Sequence, residues 1–194
     1  MAARIGLPMA LAGLLHPSWV GAASSGPQPA AKPTQGAATA ATEPGMTTAS
    51  FDDWMLRCQR AGTPEKPVRL CEVAETVQLQ GQPGPIARVA IGRLSKSDPL
   101  RFTVLLPPNV SFPSVIRVGL GDKDPAPLEL AWRRCLPGTC VGEAEIHDET
   151  LKLWRSATEP GRIVFKDSGN RDIVVPLSMK GLAPALDALA KEGI

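Results

Sequence analysis

Through the middle of this chain apolar residues recur with a period of two, the spacing that gathers like side chains on one face of a β-strand. Trp54-Met55-Leu56-Arg57-Cys58-Gln59 alternates in this way, and Val68-Arg69-Leu70-Cys71-Glu72-Val73 repeats the pattern after the turn-prone Gly62-Thr63-Pro64-Glu65-Lys66-Pro67. The two runs predict an antiparallel hairpin. Further strands are expected at 86–92, 100–106, 114–119 and 128–133, each between Pro and Gly punctuation, while Pro107-Pro108-Asn109 and Phe112-Pro113 interrupt any helix or central strand.

Beyond Cys135 the period changes. Asp148 is placed to cap a short helix with Leu151, Trp154 and Ala157 on one stripe, Lys152 and Arg155 outward, and Pro160-Gly161 as its stop. Strands at 163–165 and 173–175 follow, joined through Lys166-Asp167-Ser168-Gly169-Asn170. Leu182, Leu186 and Leu189 then define a second short helix that docks on the sheet. The expected fold is mainly β, an antiparallel β-sandwich or barrel-like sheet with two short helices. Trp54, Trp132 and Trp154 are expected in its core.

The first fifty residues lack this pattern. Arg4 followed by the apolar run 5–15 and the small residues Val20-Gly21-Ala22 predicts a signal peptide over 1–22, cleaved after Ala22. No cysteine lies near that cut, so no lipid anchor is expected on the first mature residue, and no later apolar run is long enough for a transmembrane helix. Residues 23–50 are mostly Ala, Pro, Gly, Ser and Thr and read as a flexible tether. The folded domain is then 51–194, long enough for its own core.

Composition narrows the function more than it names it. The chain has 21 basic and 19 acidic residues, which argues against nucleic acid as a partner. Arg133 and Arg134 are adjacent, and on a strand they point to opposite faces rather than forming a patch. The four cysteines, Cys58, Cys71, Cys135 and Cys140, all follow the leader, and export favours disulfides over thiolates. Of the three possible pairings, proximity favours Cys58 with Cys71 and Cys135 with Cys140, while crossing strands would join Cys58 to the other pair. Gaps of twelve and four residues do not suit zinc, and neither pair has the two-residue gap of a redox motif. No metal or cofactor is expected.

Catalytic signatures are thin. His147 is the one histidine beyond the leader, and no Gly-x-Ser-x-Gly elbow accompanies it, so it reads as a surface residue ahead of the helix. Gly119-Leu120-Gly121 lacks the third glycine of a dinucleotide fingerprint. Asp122 and Asp124 fall short of a calcium loop and read as a solvated turn. Asn109-Val110-Ser111 formally fits a glycosylation acceptor.

Several separate segments converge on one similarity. Trp54-Met55-Leu56-Arg57-Cys58, Leu70-Cys71-Glu72, Leu105-Leu106-Pro107-Pro108-Asn109-Val110, Cys135-Leu136-Pro137-Gly138-Thr139-Cys140-Val141 and 175–186 occur in the order of the invasion-associated locus B family of bacterial exported proteins, which the chain resembles from about residue 53 to 189. It departs from the family in its long tether and in Leu182, where an aromatic residue commonly follows the glycine. The resemblance implies a periplasmic or envelope-associated β-sandwich with two disulfides and no established enzymatic activity, in a family linked to host-cell entry. The expected function is a noncatalytic exported protein of the periplasm or peripheral outer envelope that binds an envelope or host protein or assists envelope assembly. Asn109, Leu136 and Thr139 are the expected binding residues, because loops braced by disulfides lose less entropy on binding. The alternatives are a structural or stress-related periplasmic protein without a discrete ligand, and an undescribed hydrolase or calcium-dependent binder around His147 or Asp122 and Asp124.

Overall fold

The computed structural model describes residues 45–121 and 124–192, so the expected leader at 1–22 and the tether as far as residue 44 lie outside the described residues. The elements run β1 (Met46–Phe51), β2 (Trp54–Thr63), β3 (Lys66–Val77), β4 (Ala87–Gly92), β5 (Arg101–Leu106), β6 (Ile116–Leu120), β7 (Leu128–Leu136), β8 (Thr139–Glu145), α1 (Asp148–Ser156), β9 (Gly161–Lys166), β10 (Asp172–Leu177) and α2 (Leu182–Lys191). The fold is mainly β and antiparallel with two short helices, as the alternation predicts. Strand order is β1-β2-β3-β4-β5-β8-β7-β6-β9-β10.

The start of the sheet corrects the expected boundary at Phe51. Residues 46–50, read as the end of the tether, form most of β1 and pair with β2 from Met46 opposite Gln59 to Phe51 opposite Trp54. Thr47, Thr48, Ala49 and Ser50 are exposed, so no apolar alternation announces this strand. Its partner supplies the order.

One strand carries the sheet around a corner. Leu128 to Leu130 of β7 pair with β6, whereas Ala131 to Leu136 pair with β8, and the register shifts between Trp132 and Arg134. The bulge at Arg133 bends the strand and increases its twist. It also corrects the expectation for the two arginines: Arg134 lies opposite Val141, and Arg133 reaches Glu143 at 3.5 Å, so both serve the same outer face. After the bend, β6, β9 and β10 cover part of the inner face of β2 to β5 and β8 in a sandwich-like packing.

The core lies between these layers. Val73, Ile91, Phe102 and Val104 from the large sheet are fully buried with Ile116, Val118, Ile163 and Leu177 from the returning strands. The remaining inner face is covered by the helices: Trp154 of α1 meets Phe102 edge-on with ring centroids 5.5 Å apart, and Leu182, Ala185, Leu186 and Leu189 of α2 are buried. Gly142 permits the layers to approach, since a Cβ there would overlap the Ile116 side chain.

Two expectations need adjustment. Helix α1 begins at Asp148 with His147 in the N-cap position and no side-chain cap, so Asp148 acts through its charge in the first turn rather than as the cap. Trp132 is half-buried and packs against the core from its margin; its ring meets exposed Phe112 at a tilt of 60° with centroids 5.4 Å apart, and its indole N–H donates to Ser114 Oγ at 3.2 Å. Trp54 and Trp154 are buried as expected.

Candidate functional site

Both disulfides join residues that face each other directly across a hairpin. Cys58 pairs with Cys71 on β2 and β3, and Cys135 with Cys140 on β7 and β8, each with Cα atoms 4.0 Å apart. Among the described residues, one group of His, Cys, Asp or Glu side chains has ligand atoms close enough to hold a metal: Cys58, Cys71 and Glu192. Its two sulfurs are bonded to each other, and Glu192 pairs with Arg69 at 2.8 Å.

The β7–β8 hairpin tip presents two of the expected binding residues. Leu136 is 48% exposed one position beyond the bridge, and Thr139 is paired opposite it. Gly138 takes a positive φ of 86° that permits the tight turn. Thr139 Oγ1 donates to the Leu106 carbonyl at 3.1 Å, fastening the tip to the end of β5. Asn109, three residues past that carbonyl, is exposed, and its amide oxygen accepts a hydrogen bond from the Ser168 hydroxyl. The loop carrying Asn109 is held further by the Val110–Asp167 bridge and by Ser111 N–H donating to the Lys166 carbonyl at 2.9 Å. Asp167 is itself tied down. Arg171 donates to it through the guanidinium and the main chain, and these bonds hold its carboxyl below the usual carboxylate range.

A concavity is assembled elsewhere from residues far apart in sequence. The outer face of β2, β3, β4, β5 and β8 forms a groove of about 600 Å³ whose floor includes Ala90, Gly92 and Thr103. Gly92 sits where a Cβ would press on β3 at the Cys71 carbonyl and Glu72, so the floor stays open there. Charges line the groove evenly, Arg57, Arg93 and Arg101 against Glu72, Asp98 and Glu143, with Arg57 and Glu72 forming an ion pair. The sequence signal for this groove is the polar half of each period-two strand. Nothing local says that those halves adjoin.

The inner face contains one carboxylate that the alternation places among apolar neighbours. Cys71, Val73 and Val77 point inward along β3, and Glu75 shares their phase and their burial. Both its oxygens accept from the Ser178 amide, at 3.3 and 3.2 Å. Burial pushes its pKa up to about 7; the Ser178 amide opposes that shift and nearby Asp53 adds to it. Ser178 also donates its hydroxyl to Asp53 at 2.6 Å and accepts the Trp54 indole N–H on its carbonyl at 2.9 Å. This strap between β10 and α2 is thereby clasped to the β1–β2 turn. Gly181 completes the clasp with φ of 85°, and a Cβ there would overlap the Phe51 carbonyl.

Neither His147 nor Asp124 lines the groove or joins the Glu75 clasp. His147 is exposed ahead of α1. Asp122 lies outside the described residues, and the Asp124 carboxylate accepts from the amides of Leu120 at 2.8 Å and Ala126 at 3.0 Å, which makes it a turn-former.

Comparison with known proteins agrees with this architecture. Residues 54–190 match the family described as Invasion associated locus B (IalB) protein. The chain is similar in fold to the crystal structure of invasion associated protein b from Bartonella henselae, with a TM-score of 0.61 and 16% identity over 75% of this chain and 96% of that one. No curated protein matches the sequence.

Proposed function

The chain belongs to the invasion-associated locus B family of bacterial exported proteins, and from that premise we propose that it is a noncatalytic envelope protein that binds another protein through its disulfide-braced tip. The observation that carries this reading is Leu136, a large apolar side chain held 48% exposed beside a covalent bridge. An exposed apolar residue on a free loop would lose backbone entropy on docking; here the bridge and the Thr139 bond to Leu106 have removed much of that freedom beforehand. Asn109, fixed by Ser168, adds a polar group at the same end of β5. The family's link to host-cell invasion makes a host protein one class of partner and an envelope protein the other.

A photoreactive amino acid placed at 136 in intact cells tests the reading, with the exposed Val174 position on β10 as control. A stoichiometric partner labelled from 136 and not from 174 is the expected result. Absence of any partner at 136 favours the structural or stress-related alternative. Leu136→Ala and Thr139→Ala, with both disulfides intact, are expected to weaken that partner's binding; unchanged affinity would remove the tip from the site.

A further inference from the structure

The two edges of the sheet are built differently. β10 carries Pro176, which has no amide to offer, and its Asp172 is ion-paired with Lys166 at 2.9 Å. β1 reads Met-Thr-Thr-Ala-Ser-Phe over 6 residues, without charge, proline or glycine. Its pairing with β2 is unbroken by a bulge, and no described residue pairs with its far side. Charge, proline and bulge, the devices by which a strand's own sequence blunts its edge, are all missing from it.

The direction of its free backbone groups follows from the neighbouring hairpin. Cys58 and Cys71 face each other at a Cα separation of 4.0 Å, the narrow spacing of a pair that does not exchange backbone hydrogen bonds. Cys58 therefore turns its N–H and C=O towards β1, where Thr47 lies opposite. Alternation then aims the groups of Thr47, Ala49 and Phe51 at β2, and those of Met46, Thr48 and Ser50 away from the sheet.

We propose that a second copy of this chain docks on that edge, β1 against β1 and antiparallel, about a two-fold axis through Thr48. Thr48 then faces Thr48 of the partner subunit, and Met46 faces Ser50 of the partner subunit. Each of the three outward residues has one donor and one acceptor, and this register satisfies all of them. Self-pairing suits the strand because its own sequence brings no like charges together and sets threonine opposite threonine. Thr48 shares the outer face with Arg57, whose charge is already matched by Glu72. A single edge buries less than a standard stable interface, so the dimer is reversible and grows with concentration.

Sedimentation velocity of the full oxidised chain, from roughly 10 µM to 1 mM, spans the range where such small interfaces exchange. The expected result is a species of twice the monomer mass that increases at each step. Thr48→Pro removes an amide that points away from β2, so it is expected to keep the circular dichroism and melting of the parent while remaining monomeric. Thr48→Lys is expected to be monomeric alone and to form a dimer when mixed with Thr48→Glu, whereas Val174→Lys on β10 dimerises as the parent does. A parent chain that stays monomeric throughout, a dimer indifferent to Thr48→Lys, or a Lys and Glu mixture that fails to associate would overturn the proposal, and the last two decide it even if the proline variant does not fold.

Discussion

In the β2–β3 hairpin the bridge lies mid-strand, with five residue pairs between it and the turn, and Cys58 and Cys71 are only 2% and 3% exposed. In the β7–β8 hairpin one pair, Leu136 opposite Thr139, separates the bridge from the turn; Cys140 is buried while Cys135 is exposed. The first bridge is packed into the core beside Trp54, Leu56 and Val73, so its sulfurs act as apolar filling as well as a crosslink. The second fixes the shape of a surface turn. The same covalent bond thus supports the fold in one place and the presentation of a side chain in the other.

Removing the two bridges separately tests that contrast most directly. The double substitution Cys58→Ala and Cys71→Ala is expected to give the largest loss, roughly 3 kcal/mol from reopening the loop plus the lost packing of two buried sulfurs. Urea unfolding would read it as a lower midpoint with a steeper slope, because the unfolded chain without the bridge is less compact. An effect no larger than that of the surface bridge would mean that burial adds nothing to the Cys58–Cys71 crosslink.

Glu75 sharpens the core side of it. Its folded pKa of about 7 lies above the ordinary carboxyl value, so the folded state holds a proton that the unfolded state has released. Stability from this group is therefore full below about pH 4.5 and is lost as pH rises through 7, a difference of at most about 3 kcal/mol. Glu75→Gln is expected to flatten that slope and to melt above the parent at pH 8. A parent whose stability rises between pH 5 and 8, with Glu75→Gln following it, would refute the assignment.

The double substitution Cys135→Ala and Cys140→Ala should destabilise by about 2 kcal/mol, the loop term for 5 residues of separation. Its larger consequence is expected in labelling from position 136. Smallest of all, Leu136→Ala is expected to shift stability by less than about 0.5 kcal/mol, as for surface changes that open no cavity. A clearly larger shift in urea unfolding would mean that Leu136 serves the fold.

Much of this contrast is legible in the sequence. Alternation around Cys58 and Cys71 gives the hairpin, its phase gives the inward direction, and proximity gives the pairing that forms. The leucine stripe of α2 likewise declares its buried side. What escapes local reading depends on a neighbour. Residues 46–50 look like tether because their side chains remain in solvent, and only pairing with β2 orders them. Arg133 and Arg134 look opposed because an alternating pattern does not reveal a bulge. The groove at Gly92 and Arg101 needs strands brought together from positions 46 to 143. Glu75 is the instructive case, since the phase of Cys71, Val73 and Val77 marks it as inward while its residue type suggests solvent.

Each sulfur bridge spans a short stretch of chain, 13 and 5 residues, within a single turn of the polypeptide. By contrast, β5 must wait for β8 across the β6–β7 excursion before that part of the sheet can close. Short loops close in well under a microsecond, far ahead of distant strand pairing. The two sulfurs of each hairpin can therefore meet as it emerges from the export machinery, and their correct pairing demands nothing of segments still to arrive.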